Sequence, residues 1–160
     1  MALSNFERMI QLAEEVFDVR NDANQLSVDE EVIKRLKNLH PSTLSEYDDG
    51  KGPVVWILVI PTTRDLMNRF INKSITEQEL LDLTPLNIPY EAIYLCSAMV
   101  LPEYRNKGIA KKLTLEAIES IKKQHPIKSL FVWPFTKEGN SLAEHIAKLS
   151  SLPLLKRIEV

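Results

Sequence analysis

The chain has 160 residues, 44% hydrophobic and 26% charged, with a net charge of −2 and a pI near 6.0. That length suits one domain with a real core, and the slight acidity excludes the general basic field that nucleic-acid binding uses. One cysteine, Cys96, excludes an internal disulfide and a thiolate metal set. Its apolar surroundings point to a buried, inert thiol.

The expected elements begin with two helices. Ser4 and Glu7 have capping-box spacing, followed by an apolar stripe of Phe6, Met9, Ile10, Ala13, Val16 and Phe17. Nothing from Met1 to Phe6 reads as a signal peptide. Ser27 and Glu30 repeat the box before Val32, Ile33, Leu36 and Leu39, and Pro41 ends that helix. A weak strand from Thr43 to Tyr47 and a strong one from Pro53 to Ile60 flank the turn Asp48-Asp49-Gly50-Lys51-Gly52, with Pro61 as the breaker.

Residues 61–90 then form a helical insert. Leu66, Met67, Phe70 and Ile71 share one face, and Thr76 and Glu79 make a further capping box. A buried strand follows from Ala92 to Leu101, which is too short to cross a membrane as a helix. A helix is expected from Gly108 to Lys123, and a strand from Ile127 to Trp133. Ser141 and Glu144 are expected to cap a helix ending near Leu149, and Leu154 to Val160 forms a last short strand. The order predicts an α/β (α+β) domain with a mixed sheet flanked by helices, in a cytoplasmic protein without a membrane, nucleic-acid or metal partner.

The segment with chemistry is the junction after the central strand. Glu103-Tyr104-Arg105-Asn106-Lys107 links the strand end at Pro102 to a helix opening at Gly108. A helix start leaves backbone N–H groups unpartnered and carries partial positive charge, which suits phosphate. Gly108 permits close approach of a ligand, and Arg105, Lys107, Lys111 and Lys112 add positive charge. The same residues also suit an ordinary connection with exposed lysines. No P-loop and no dinucleotide fingerprint occur.

The run Val100-Leu101-Pro102-Glu103-Tyr104-Arg105-Asn106-Lys107-Gly108-Ile109-Ala110 resembles the signature of the GNAT family: Arg or Gln, two residues, Gly, one residue, then Gly or Ala. Here the motif reads Arg105, Gly108 and Ala110. The resemblance extends over residues 91–150, including Asn140-Ser141-Leu142-Ala143. It implies a mixed, mostly antiparallel central sheet, acetyl-CoA as co-substrate, and acetyl transfer to a small-molecule or peptide amine by direct attack.

By that resemblance, backbone groups of Met99 and Val100 pair with the pantetheine arm, and Val100 N–H also acts as oxyanion donor. Arg105, Asn106, Lys107, Gly108, Ile109 and Ala110 surround the pyrophosphate. Asn140 lies by the pantetheine, although with Ser141 it also suits a helix cap. The resemblance further implies that the strands from Ala92 and from Ile127 splay apart to admit the cofactor.

The proton-handling residues depart from the family. Tyr94 occupies the position of the family's usual Glu base, and Ala147 that of its usual Tyr acid. Glu144 reads as a capping residue and His145 as a surface one. The insert is expected to cover or narrow the acceptor pocket. The closing hairpin is either incomplete or completed by a second subunit of a homodimer. An alternative is a non-catalytic acyl-CoA-binding or sensor module of the same fold, and a third reading is an unrelated phosphate- or nucleotide-binding α/β protein.

Overall fold

The computed structural model describes residues 3–20 and 29–158. Helix α1 (Asn5–Arg20) opens with both halves of the Ser4–Glu7 capping box formed. Its stripe is only partly used: Met9 is fully buried, whereas Phe6 and Ile10 stay exposed. Phe6 instead sets its ring edge-on against Trp56. The side chains of Val16 and Phe17, and Ser27 of the second expected box, lie outside the described residues. Helix α2 (Glu30–Leu39) is capped by Asp29, which accepts from Val32 N–H at 2.9 Å, and it buries Val32, Leu36 and Leu39.

Strands β1 (Leu44–Asp48) and β2 (Pro53–Thr62) form the expected hairpin. Its turn is folded around Asp48, whose Oδ1 accepts from Gly50 N–H and Gly52 N–H. The expectation that Pro61 breaks β2 is corrected, because the strand continues through Thr62 and the insert begins only at Thr63. Thr62 C=O accepts from Glu91 N–H, so alternation turns the nitrogen of Pro61 to the side where β1 has already ended. No ladder bond is lost there.

Helices α3 (Arg64–Ile71) and α4 (Glu77–Leu83) carry the insert, and the Thr76–Glu79 box is complete. Strand β3 (Ala92–Val100) precedes a short 3-10 turn (Pro102–Tyr104) and helix α5 (Ile109–Lys122). Strand β4 (Ser129–Val132), helix α6 (Lys137–Ser150) and strand β5 (Leu154–Lys156) complete the order. Strands β4 and β5 are shorter than expected.

The sheet runs β1-β2-β3-β4-β5. The long pairings β1/β2 and β2/β3 are antiparallel, and the short pairings β3/β4 and β4/β5 are parallel. The insert is part of the core: Phe70, Leu80 and Leu81 are fully buried beside β-strand residues Ile93, Tyr94 and Phe131. Phe70 packs on both Tyr94 and Phe131. Among the described residues no helix is long and apolar enough to cross a membrane.

Candidate acyl-CoA site

Strand β3 forks from its parallel neighbour. It pairs with β4 only at Ala92, Ile93 and Tyr94, opposite Ser129, Leu130 and Phe131, then continues to Val100 alone on that side. A bulge sits at the fork. Leu58 lies opposite Ser97 and Val59 opposite Leu95, so Cys96 is the extra residue of the bulge. Bulges bend a strand and raise its twist, which carries the end of β3 away from β4. Cys96 is half-buried rather than fully buried, with Sγ 3.8 Å from the Glu77 carboxylate.

The register decides which backbone groups face the opening. Leu101 N–H donates to Val54 C=O at 3.0 Å. By alternation, the groups of Met99 and Ser97 also face β2, and those of Ala98 and Val100 face the open side. The expectation that Met99 offers its backbone to a ligand is therefore corrected: its groups face β2, and those of Ala98 and Val100 are the ones left on the open side. Antiparallel alternation across a bulge is not readable without the partner strand. Val100 C=O accepts from Arg105 Nε at 3.1 Å, which leaves its N–H toward the opening.

The loop after β3 holds two residues in left-handed conformation, Asn106 (φ 62°) and Gly108 (φ 78°). Asn tolerates that region and Gly adopts it freely. Gly108 caps α5 without a side chain, and a Cβ built there would meet no protein atom within 4 Å. The space in front of this residue is open. The first helical bond of α5 runs from Lys112 N–H to Gly108 C=O. Among the described residues no acceptor engages the N–H groups of Asn106, Lys107, Gly108, Ile109, Ala110 or Lys111. Six donors and a helix N-terminus thus face outward beside four basic side chains.

Asn140 does not cap its helix. The cap is Thr136, which accepts from Gly139 N–H at 2.9 Å, so the expected Ser141–Glu144 start is corrected by about one turn. Asn140 lies inside α6, donates Nδ2 to Glu144 Oε1 at 3.0 Å, and has a buried Oδ1 without a partner among the described residues. Glu144 binds Lys156 Nζ at 2.6 Å, which with the Asn140 bond holds its carboxyl below the usual range. His145 is exposed and Ala147 buried.

Tyr94 is the last β3 residue paired with β4, and it is fully buried. Its hydroxyl donates to Glu77 Oε2 at 2.5 Å. Glu77 comes from the first turn of α4, is itself fully buried, and was missed by sequence reasoning. The clefts elsewhere lie away from the fork. One of about 430 Å³, lined by His40, Tyr90, Gln124 and His125 among others, sits at the C-terminal end of α5. Another of about 330 Å³, between α3 and the starts of β3 and β4, is lined by Arg64, Met67, Glu91 and Ser129.

A forked parallel pair, a bulged strand with an open edge, and a helix start lined with free donors suit a long phosphorylated ligand with a strand-like arm. Residues 77–149 match the family model of the acetyltransferase (GNAT) family, which supports a GNAT acetyltransferase domain there. The matched segment spans α4, β3, α5, β4 and most of α6. No curated protein matches the chain. The family transfers acetyl groups and uses acetyl-CoA as co-substrate. The residues present fit that ligand: six free N–H groups suit a pyrophosphate, open space fronts Gly108, and the buried oxygen of Asn140 lacks a donor. Among the described residues, no group of three or more His, Cys, Asp or Glu side chains could hold a metal ion.

Proposed function

We propose that the chain is an acetyl-CoA-dependent N-acetyltransferase that acetylates a small-molecule or peptide amine by direct attack. The observation that carries this reading is the row of unpartnered N–H groups from Asn106 to Lys111, set beside the unpaired edge of β3. Acetyl-CoA, when bound, supplies an acetyl group activated as a thioester. Ala98 and Val100 hold its arm through backbone groups, in the manner of an added strand. Arg105, Asn106, Lys107, Gly108, Ile109 and Ala110 hold the pyrophosphate, and Asn140 accepts a donor from the arm.

The amine must arrive or become neutral. For an alkyl amine of pKa ~10.4, the free base at pH 7 costs about 4–5 kcal/mol. Proton handling falls to the pair at the fork. A lone phenol holds its proton at neutral pH, whereas Tyr94 backed by the Glu77 carboxylate can take up a proton as it passes its own on. In this reading the chain acts as one acyltransferase domain, and the segment from Thr63 to Tyr90 serves it by bringing Glu77 against Tyr94 and Cys96 at the fork.

The test is thiol release from acetyl-CoA across a panel of alkyl, aryl and peptide amines. Acceptor-dependent release, reduced in Glu77→Gln with an altered pH profile, supports the reading. Binding of acetyl-CoA without release for any amine would replace it with a non-catalytic acyl-CoA-binding module.

A further inference from the structure

Within its own stretch the phosphate loop is held only at its start, where Tyr104 N–H donates to Leu101 C=O, Arg105 N–H to Pro102 C=O and Arg105 Nε to Val100 C=O. Among the described residues the N–H groups from Asn106 to Lys111 are unpartnered, and Asn106 and Gly108 sit in left-handed conformation. What fixes it comes from far away in the chain. Arg8 of α1 grips Glu103 with two bonds, Nη1 to Oε1 at 2.5 Å and Nη2 to Oε2 at 2.7 Å. The next residue, Tyr104, donates its hydroxyl to Asp49 Oδ2 in the β1–β2 turn. Asp49 is itself held, its Oδ1 accepting from Lys51 N–H at 2.9 Å and from Asn5 Nδ2 at 3.1 Å. Asn5 reaches on to Gly52 C=O at 3.4 Å, and a Cβ at Gly52 would stand 3.1 Å from the Asn5 side chain.

We propose that Arg8, Asn5 and Asp49 are positioning residues that act through Glu103 and Tyr104 to hold the pyrophosphate loop in its binding conformation. The inference rests on the acetyl-CoA reading of that loop. Three separate elements (the start of α1, the hairpin turn and the loop) converge in one chain of polar contacts, with partners 95 and 55 residues apart. The Arg8–Glu103 bond is bidentate, the arrangement that fixes direction as well as distance.

The contacts also set the charge of the site. Glu103 is the one acid among the loop residues 103–108, and left alone it repels a phosphate. Arg8 neutralises it, so the excess from Arg105, Lys107, Lys111 and Lys112 is presented undiminished. Lys107 Nζ lies 5.6 Å from the centre of the Tyr104 ring, so fixing that ring also places a loop cation. A loop held ready loses less conformational freedom on binding, and the gain appears as affinity. These contacts are solvent-exposed, where ion pairs add little to global stability. Their effect therefore falls on binding rather than on Tm.

The experiment is isothermal titration of the full chain with coenzyme A. The variants are Tyr104→Phe, Asp49→Ala, Arg8→Gln, Arg8→Lys and the double variant Tyr104→Phe/Asp49→Ala, with Tm measured for each. Each single neutral variant is expected to weaken binding about three- to tenfold. The double variant should bind no more weakly than Asp49→Ala alone, because both remove one contact. Arg8→Lys should recover part of the loss, and the deficit should fall on KM for acetyl-CoA more than on kcat. Wild-type affinity in all the single variants overturns the proposal while leaving the acetyl-CoA reading standing. A wild-type chain that does not bind coenzyme A overturns both.

Discussion

The hydroxyl of Tyr94 donates to the carboxylate of Glu77 at 2.5 Å, joining β3 to the insert helix α4 in a wholly buried pair. Removing the acceptor leaves a buried donor without that bond, at about 1–3 kcal/mol. Glu77→Ala should therefore lower Tm by several degrees in a domain of this size. In a double-mutant cycle with Tyr94→Phe, the two losses should not add. A wild-type melting curve for Glu77→Ala would show that the pair carries no stability.

Thr136 and Asn140 should separate stability from binding. Thr136→Ala removes the cap of α6 and should cost about 0.5–2 kcal/mol, read as a drop in Tm. Asn140→Ala removes a buried oxygen without a partner among the described residues and only an exposed bond from Nδ2 to Glu144, so Tm should change little while affinity for coenzyme A falls. Equal loss of stability in both variants would return Asn140 to a structural role.

The bond from Arg8, followed by the bond to its own backbone, holds the Glu103 carboxyl down at about 2. A carboxylate depressed in the folded state stabilises it above its unfolded pKa of about 4.3 and loses that contribution as pH falls toward about 2. In Arg8→Gln the Glu103 titration should move up toward the ordinary carboxylate range. Carboxyl NMR in the two proteins measures it directly. An unmoved titration would deny the pair its role.

His125 moves the other way along the pH scale. Burial first, and then the neighbouring His40, lower its pKa. Its Nδ1 accepts from Tyr90 N–H at 3.2 Å, which requires that nitrogen to be unprotonated. A histidine depressed on folding stabilises above its unfolded value of about 6.5, and that stability is lost as pH falls through the folded value. Tm should therefore decline between pH 7 and pH 5, and the decline should be smaller in His125→Asn. The same decline in both proteins would place the titrating group elsewhere.

The junction from Pro102 to Lys123 was legible because each signal is local: a proline stop, a glycine at the helix start, and a helical apolar stripe. The insert helices and the Thr76–Glu79 box were legible for the same reason. Other features depend on partners distant in sequence. Glu77 reads as an ordinary first-turn acid, and only the arrival of β3 buries it. Pro61 reads as a breaker unless it is known that β1 stops short of it. The Ser141–Glu144 spacing imitates a capping box within a helix already started at Thr136, which lacks an acid three residues on. Met99 was placed correctly at the strand end, but which way its backbone turns depends on β2 and on the bulge at Cys96.

The most direct test of the cofactor site is thermal unfolding of wild type and Gly108→Glu with acetyl-CoA, coenzyme A, ATP or buffer. At about one hundred times Kd a ligand adds ~2.7 kcal/mol, which raises Tm by several degrees in a domain of this size. Both coenzyme A forms should shift the wild type, ATP should not, and Gly108→Glu should lose the shift by projecting a like charge into the open space before the loop. No shift of the wild type at millimolar acetyl-CoA, or an equal shift in Gly108→Glu, would contradict the account.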